Sequence, residues 1–135
     1  MLVAPDEKRV IALETEFIQP QDGQVKQDCE RNAAKRWLTD HASYLAGHKV
    51  TFLGDDLYCN QPFCEQMLGQ KLNFIFTCKP ESHTALYTEV ALLARMGAVE
   101  QVTQRHWMVN GHGVWTYRYV NDVPLRAGVD ALRVN

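Results

Sequence analysis

The segment Val50-Thr-Phe-Leu-Gly-Asp-Asp-Leu-Tyr58 constrains the fold of this chain more than any other, because a short apolar run ends there in two carboxylates, Asp55 and Asp56. Residues 60–69, which follow, have the pattern of a helix. In an open α/β sheet, side chains at the carboxyl end of a buried parallel strand lie at the crevice where ligands and metals bind. The two acids are therefore candidate ligands of Mg²⁺ or Mn²⁺, since hard cations prefer oxygen. The structural alternative is that Asp55 caps the next helix or begins the turn, and that Asp56 is solvated.

The length and composition are those of one packed domain, or of a piece of one. The chain has 135 residues, of which 46% are hydrophobic, and this content predicts a folded core. No apolar run approaches the length of a membrane span and no signal peptide opens the chain, so we expect a cytoplasmic protein with no membrane partner. The formal net charge of −2 argues against a free-standing nucleic-acid binder, although it permits a local basic stripe.

The four cysteines, Cys29, Cys59, Cys64 and Cys78, are expected to be reduced thiols, because the chain shows no secretory signal. Structural zinc sites use paired, closely spaced ligands, and Cys59 and Cys64 provide only a single C-x4-C spacing. The sequence therefore does not predict a zinc site.

The first eighty residues predict the element order β-β-α-β-α-β. The predicted elements are strands 1–4 and 10–18, a helix 25–46, a strand 49–53, a helix 61–68 and a strand 72–78. Strand 10–18 alternates apolar and polar residues and should bury one face. Strands 49–53 and 72–78 are apolar runs without alternation, which is the pattern of strands buried on both faces.

The character of the chain changes after Cys78. A helix is predicted over residues 83–96, and strands 99–109 and 114–120 flank the hairpin signal Asn110-Gly-His-Gly113. Trp115, Tyr117 and Tyr119 share one face of the second of these strands. We interpret them as an ordinary packed sheet surface, and the alternative is a platform on which nucleic-acid bases stack.

Six motifs are distributed over essentially the whole chain. They are Gln19-Pro-Gln-Asp-Gly23, Lys26-Gln-Asp-Cys29, Ala34-Lys-Arg-Trp-Leu38, Leu53-Gly-Asp-Asp-Leu-Tyr58, Cys78-Lys-Pro80 with Ser82-His83, and Val114-Trp-Thr-Tyr-Arg-Tyr-Val120. In order and spacing they resemble a bacterial insertion-sequence transposase of the DDE type. The resemblance implies a ribonuclease-H-like mixed sheet with flanking helices, present in part over residues 1–80. It also implies a helix and a β-rich insertion over residues 81–135.

The same resemblance implies a site in which three acids (Asp, Asp, Glu) hold two divalent ions, Mg²⁺ or Mn²⁺, for cutting and rejoining DNA. Asp55 matches the second Asp, because the aromatic Tyr58 follows it three residues later, and it is the predicted catalytic residue. Asp56 is the alternative and a further predicted metal ligand. The basic residues predicted to contact DNA phosphates are Lys79, Arg105 and Arg118.

The chain departs from the family pattern at the other two acids. The family's first Asp lies upstream of the residues that match Met1, and its Glu lies downstream of Asn135. Asp22 lies in a loop, and Glu89 and Glu100 fall too early to replace the Glu. We therefore expect an internal fragment that is inactive alone. Its complete form would hold the metal ions and bind transposon ends and target DNA, with a homo-oligomer as a possible assembly.

The missing first strand also leaves the predicted sheet incomplete. By resemblance, that strand lies in the centre of the sheet, between the strand near Met1 and the strand that ends at Asp55. Either the strand near Met1 pairs directly with residues 49–54, or the gap between the two stays open and exposes unpaired strand edges.

Three other functional classes fit parts of the sequence. Gly54-Asp-Asp56 is similar to the metal-binding turn of template-dependent polymerases, but that turn lies within a hairpin, and here a helix with Pro62 follows. A receiver-type phosphoacceptor domain would require βα repeats from the start, whereas this chain opens with a hairpin. The third class is a non-catalytic α/β interaction or nucleic-acid-binding module, which the missing acids and the aromatic hairpin favour.

Overall fold

The computed structural model describes residues 1–19, 29–108 and 111–132, and within these ranges the chain is a mixed α/β protein. Its described elements are β1 (Leu2–Val3), β2 (Val10–Ile11), α1 (Glu30–Ala46), β3 (Thr51–Gly54), α2 (Gln61–Gly69), β4 (Asn73–Phe76), α3 (Thr84–Arg95), β5 (Glu100–Met108) and β6 (Gly111–Tyr119). This order confirms the predicted α/β class and the predicted succession of elements. None of the helices in the described ranges is long and apolar enough to cross a membrane.

Some predicted elements differ in extent, and some lie outside the described ranges. The strand predicted over residues 10–18 is limited to Val10–Ile11. Residues beyond it are held by α1 instead, because Trp37 Nε1 donates a hydrogen bond to the carbonyl oxygen of Glu14 at 2.8 Å. The loop residue Asp22, residues 25–28 of the predicted helix, and Asn110 of the predicted hairpin turn lie outside the described residues.

The centre of the fold is a parallel β-α-β unit. β3 pairs in parallel with β4, in the register Thr51↔Asn73 to Gly54↔Phe76, and α2 makes the crossover between them. The start of α2 is set by Asn60, whose side-chain oxygen accepts a hydrogen bond from Phe63 N at 3.2 Å, as an N-cap residue does. Pro62 lies in the first turn of the helix, where its missing N–H has no intrahelical partner to lose.

A small apolar core joins α1, α2 and the two parallel strands. Its buried residues are Leu38, Ala42, Leu45, Phe63, Met67 and Leu72. Those of α1 recur at spacings of four and three, which places them on one stripe of the helix. Met67 is fully buried, with a relative exposure of 0%.

The prediction that both parallel strands are buried on two faces is wrong. Phe52, Phe74 and Phe76 pack against the core, whereas Leu53 and Ile75, which point the other way, are 74% and 65% exposed. Both α1 and α2 lie on the phenylalanine side, so the opposite face has no covering layer among the described residues. An apolar run without alternation is compatible with burial on both faces of a strand. Burial of the second face also requires helices on that side, and the run itself does not provide them.

The gap expected between the first hairpin and the parallel pair stays open. β1 pairs only with β2 and β3 only with β4 in the described chain. A groove of about 690 Å³ lies between them, lined on one side by Met1, Leu2 and Val3 and on the other by residues 51–53. The β3 edge that faces this groove therefore has no strand partner in the described part of the chain.

The region after residue 80 contributes little to the core. No residue of α3 is buried, and β5 and β6 form an antiparallel hairpin of their own. The packing expected for the aromatic face of β6 is not observed in the described chain, because Trp115, Tyr117 and Tyr119 are 55%, 52% and 45% exposed. The residues of the apolar core all precede residue 80; the domain division at that point stays a prediction.

Gly54, the last residue of β3, is required by a close approach. A Cβ added there would meet the Phe76 ring at 2.8 Å and the Tyr58 ring at 3.2 Å. Because Phe76 is itself packed between Phe63 and Phe74, its ring cannot move without cost. We expect Gly54→Ala to lower the free energy of unfolding by about 1–3 kcal/mol, measured by urea denaturation.

Gly69, at the end of α2, is the matched control. No atom lies within 4 Å of a Cβ added there, so Gly69→Ala should leave stability unchanged or raise it by up to about 1 kcal/mol. Equal effects of the two substitutions would contradict the close approach at Gly54.

Candidate functional site at the carboxyl ends of the parallel strands

The side chains that could bind a metal or take part in a reaction gather where β3 and β4 end. Because the two strands are parallel, their carboxyl ends lie at the same edge of the pair. Asp55 and Asp56 follow β3, Cys78 and Lys79 follow β4, and His83 is the N-cap residue of α3. The β-α-β topology thus brings together residues that are more than twenty positions apart in sequence.

Asp55 is exposed and forms a local turn. Its Oδ1 accepts a hydrogen bond from Leu57 N at 3.0 Å, and its carbonyl oxygen accepts one from Tyr58 N at 3.2 Å. This is the side-chain-to-backbone turn that Asp favours after a strand. The structural alternative, in which Asp55 begins the turn, therefore describes its local contacts. Its predicted role as a catalytic metal ligand stays a prediction.

Asp56 connects the two strand ends. Its Oδ1 accepts a hydrogen bond from Lys79 N at 2.7 Å and its Oδ2 accepts one from Ser82 Oγ at 2.5 Å. The bond from Ser82, then that from Lys79 N, and then the nearby His83 hold the pKa of this carboxyl below its ordinary value. The structural alternative for Asp56, a solvated side chain, is wrong. Asp56 is half-buried, and its hydrogen bonds fix the loop after β4.

Tyr58, the aromatic residue that follows Asp55, links this edge to α1. Its hydroxyl donates a hydrogen bond to Glu30 Oε1 at 2.5 Å, and its ring lies 5.3 Å from that of Phe63. Burial and the bond to Glu30 both raise the pKa of the phenol. The residue therefore anchors the turn that carries the two acids.

A second set of side chains meets beside Asp56. The Sγ atoms of Cys59 and Cys78 are 2.9 Å apart, and both lie with a ring nitrogen of His83 within 4.8 Å of one another. No disulfide joins these cysteines in the structure, and their reduced state stays a prediction. Contact with Cys64 and burial raise the pKa of Cys59, and burial and contact with Cys59 raise the pKa of Cys78 to about 12.

His83 is nine-tenths buried, with 9% exposure. Its Nε2 is shielded from water and makes no hydrogen bond to the described residues, although Asp56 Oδ1 lies only 3.2 Å away. The carboxylate is thus close enough for charge attraction but is not aligned as an acceptor. A buried imidazole nitrogen without a hydrogen-bond partner is unusual and requires an explanation.

Sequence reasoning missed this cluster because it compared only neighbouring cysteines. The ligands come instead from Cys59 and Cys78, which are 19 positions apart, and from His83. The available signal was topological: Cys78 is the last residue of the predicted strand 72–78, and Cys59 follows the predicted strand 49–53. Cys64, the partner considered in the sequence, is buried within α2 and is not one of the three clustered ligands.

The predicted DNA-contacting residues are not gathered at one place. Lys79 lies beside Asp56, and Lys79 is exposed. Arg105 and Arg118 lie on the separate β5–β6 hairpin, on the same face, because Arg105 pairs with Val114 and side chains alternate along β6. The aromatic side chains of β6 lie on its opposite face. Whether these basic residues contact DNA stays a prediction.

The donor set of the described residues does not form an oxygen-rich site for Mg²⁺ or Mn²⁺. Their one group of three or more His, Cys, Asp or Glu ligands is formed by Cys59, Cys78 and His83, and it includes neither Asp55 nor Asp56. Both oxygens of Asp56 already accept hydrogen bonds. A comparison of the chain with protein-family models, with curated proteins and with solved structures found no match.

Proposed function

We propose that this chain is an internal part of a DDE transposase whose complete form cuts and rejoins DNA ends, and that the chain alone is inactive. The observation that carries the proposal is the position of Asp55. It follows the last residue of β3 at the carboxyl end of a parallel β-α-β unit, where the sheets of α/β enzymes hold ligands. Asp55 is exposed there and is not part of the core.

The groove beside β3 supports the same proposal. A ribonuclease-H-like sheet would have one more strand between the first hairpin and β3, and a groove separates residues 1–3 from residues 51–53. The exposed Leu53, on the uncovered face of β3, is a side chain that a completed sheet and its second helical layer would bury. A strand that carries the first Asp of the triad would bring it to the side of Asp55.

The residues of this edge have distinct roles in the proposed reaction. Asp55 would be one carboxylate ligand of a divalent metal pair, and the remaining acids would come from outside this chain. When bound, the metal pair activates the attacking water or hydroxyl and stabilises the leaving oxygen. Lys79 would hold a DNA phosphate. Asp56 would position Lys79, because its carboxylate accepts a hydrogen bond from the backbone N–H of Lys79.

We expect the isolated chain to show no DNA cleavage in Mg²⁺ or Mn²⁺. One exposed carboxylate leaves most of the coordination to water, so we also expect Mg²⁺ affinity no better than about millimolar. Supercoiled plasmid, incubated with the purified chain and Mg²⁺, should stay uncut, and calorimetric titration should give the affinity. The positive control is the extended protein that supplies the other two acids, which should nick the plasmid.

Specific metal-dependent cleavage by the purified 135-residue chain would overturn this proposal. A failure of the extended protein to cut DNA would overturn it equally, because the transposase assignment requires activity once the acids are complete.

The alternative function is a non-catalytic interaction or nucleic-acid-binding module, and one observation favours it. The β5–β6 hairpin exposes apolar and aromatic residues on both faces, including Trp107, which is 82% exposed, and Trp115. Such a surface is typical of a site that another molecule covers. DNA binding by the isolated chain that Arg105→Ala weakens, together with an inactive extended protein, would favour the module over the transposase.

A further inference from the structure

We infer that Cys59, Cys78 and His83 bind a zinc ion at the carboxyl ends of β3 and β4, with the carboxylate of Asp56 beside His83. The site is separate from the proposed transposase chemistry, which uses Asp55 and oxygen-bound Mg²⁺. The zinc site would stabilise the edge of the fold where β3 and β4 end. The inference does not depend on whether the complete protein cuts DNA.

The spacing of the donors supports a single ion. A ring nitrogen of His83 and the Sγ atoms of Cys59 and Cys78 all lie within 4.8 Å of one another. Two sulfur ligands of a tetrahedral zinc lie about 3.8 Å apart, because each bond is about 2.3 Å long. The two Sγ atoms, at 2.9 Å, need to separate by about 0.9 Å to reach that distance.

The burial of His83 is a second observation that points to an ion. The residue is nine-tenths buried, and its Nε2 makes no hydrogen bond to the described residues. Asp56 Oδ1 lies 3.2 Å from that nitrogen, where a carboxylate can orient a metal-ligating histidine. Lys79 N and Ser82 Oγ donate hydrogen bonds to this carboxylate and hold it in place.

The donor types select the metal. Two sulfurs and an imidazole form a soft donor set, which suits Zn²⁺ and not Mg²⁺. The thiols would release their protons to solvent on binding. Cys59 and His83 are buried, so solvent has little access to the site.

An ion at this position would strengthen the attachment of α3 to the rest of the fold. No residue of α3 is fully buried, so apolar packing secures this helix only in part. His83, the N-cap residue of α3, would be bonded through zinc to Cys59, which precedes α2, and to Cys78, which follows β4. Zinc would therefore fix the start of α3 to the β-α-β unit.

The test is the metal content of the purified chain. Produced with zinc in the medium and purified under reducing conditions, the full chain should hold one zinc per molecule by elemental mass spectrometry. Cys59→Ser, Cys78→Ser and His83→Gln should each lose it. Cys29→Ser should keep it, since Cys29 lies at the N-cap of α1 and outside the cluster.

Two further measurements keep the test decisive if a variant folds poorly. Replacement of zinc by Co²⁺ in the unmodified chain should produce thiolate-to-cobalt charge-transfer absorption and the visible bands of a tetrahedral ion. Chelation should lower the melting temperature of the unmodified chain by about 5 °C or more, and zinc should restore it. Cys29→Ser should respond in the same way.

Several outcomes would overturn the inference. They are an unmodified reduced chain that contains no zinc, a Co²⁺ spectrum without thiolate bands, and zinc retained at one per molecule in Cys78→Ser or His83→Gln. A Cys59–Cys78 disulfide in the metal-free protein, seen as a mass lower by two hydrogens before reduction, would assign the same pair to covalent cross-linking instead.

Discussion

Replacement of Asp55 by Asn in the extended protein is expected to abolish DNA strand cleavage and transfer. The substitution removes one negative charge from a metal ligand, and the expected loss is roughly a thousandfold or more, about 4 kcal/mol of activation free energy. The fold should be unaffected, because Asn keeps the Oδ1 that accepts the hydrogen bond from Leu57 N. Cleavage of a labelled DNA end in Mg²⁺ and the thermal melting temperature measure the two effects separately.

Asp56→Asn is the matched control for this prediction, since it makes the same chemical change at the neighbouring residue. Its amide cannot accept with both ends, so it loses one of the bonds from Lys79 N and Ser82 Oγ. We expect a lower melting temperature and a smaller loss of activity. If Asp55→Asn stayed fully active while Asp56→Asn lost activity at unchanged stability, Asp56 would be the acid of the triad.

Met67→Ala is expected to cause one of the largest losses of stability available in this chain. Met67 is completely buried in the cluster formed by α1, α2 and the parallel strands. Removal of its side chain leaves a cavity and should lower the free energy of unfolding by about 2–5 kcal/mol. In a core this small, such a loss approaches the whole stability of the domain. Urea denaturation, with the slope of the transition compared as well as its midpoint, is the measurement.

The matched control is Met96→Ala, because Met96 is 70% exposed just after α3. It should change the free energy of unfolding by less than about 0.5 kcal/mol. Similar losses from the two substitutions would show that the buried cluster does not carry the stability of the described fold.

The order of the elements was predictable from the sequence because local signals agreed with the fold. The cap Asn60 with Pro62, and the apolar stripe of α1 that includes Leu38 and Leu45, depend on residues close in sequence. The exposed face of β3 and β4 was not predictable. Leu53 and Ile75 are apolar in either environment, and only the arrangement of the helices decides whether a second layer covers them.

The candidate site was predictable in its position but not in its partners. An acidic pair after an apolar strand indicated the edge at which polar groups would meet, and that edge is where they lie. The bonds of Asp56 to Lys79 and Ser82, and the approach of Cys59 to Cys78, join loops that only the parallel pairing of the strands brings together. Residue spacing along the chain does not record such contacts, because the crossover helix α2 separates their positions.

The buried cluster lies within one uninterrupted stretch, residues 33–76, and this has a consequence for the order in which the protein folds. Contacts between residues close in sequence close short loops and lose little chain entropy, so they form quickly. During synthesis, α1, β3, α2 and β4 can assemble before the β5–β6 hairpin has left the ribosome. We therefore expect the unit that carries Asp55 to form early in folding, independently of the hairpin.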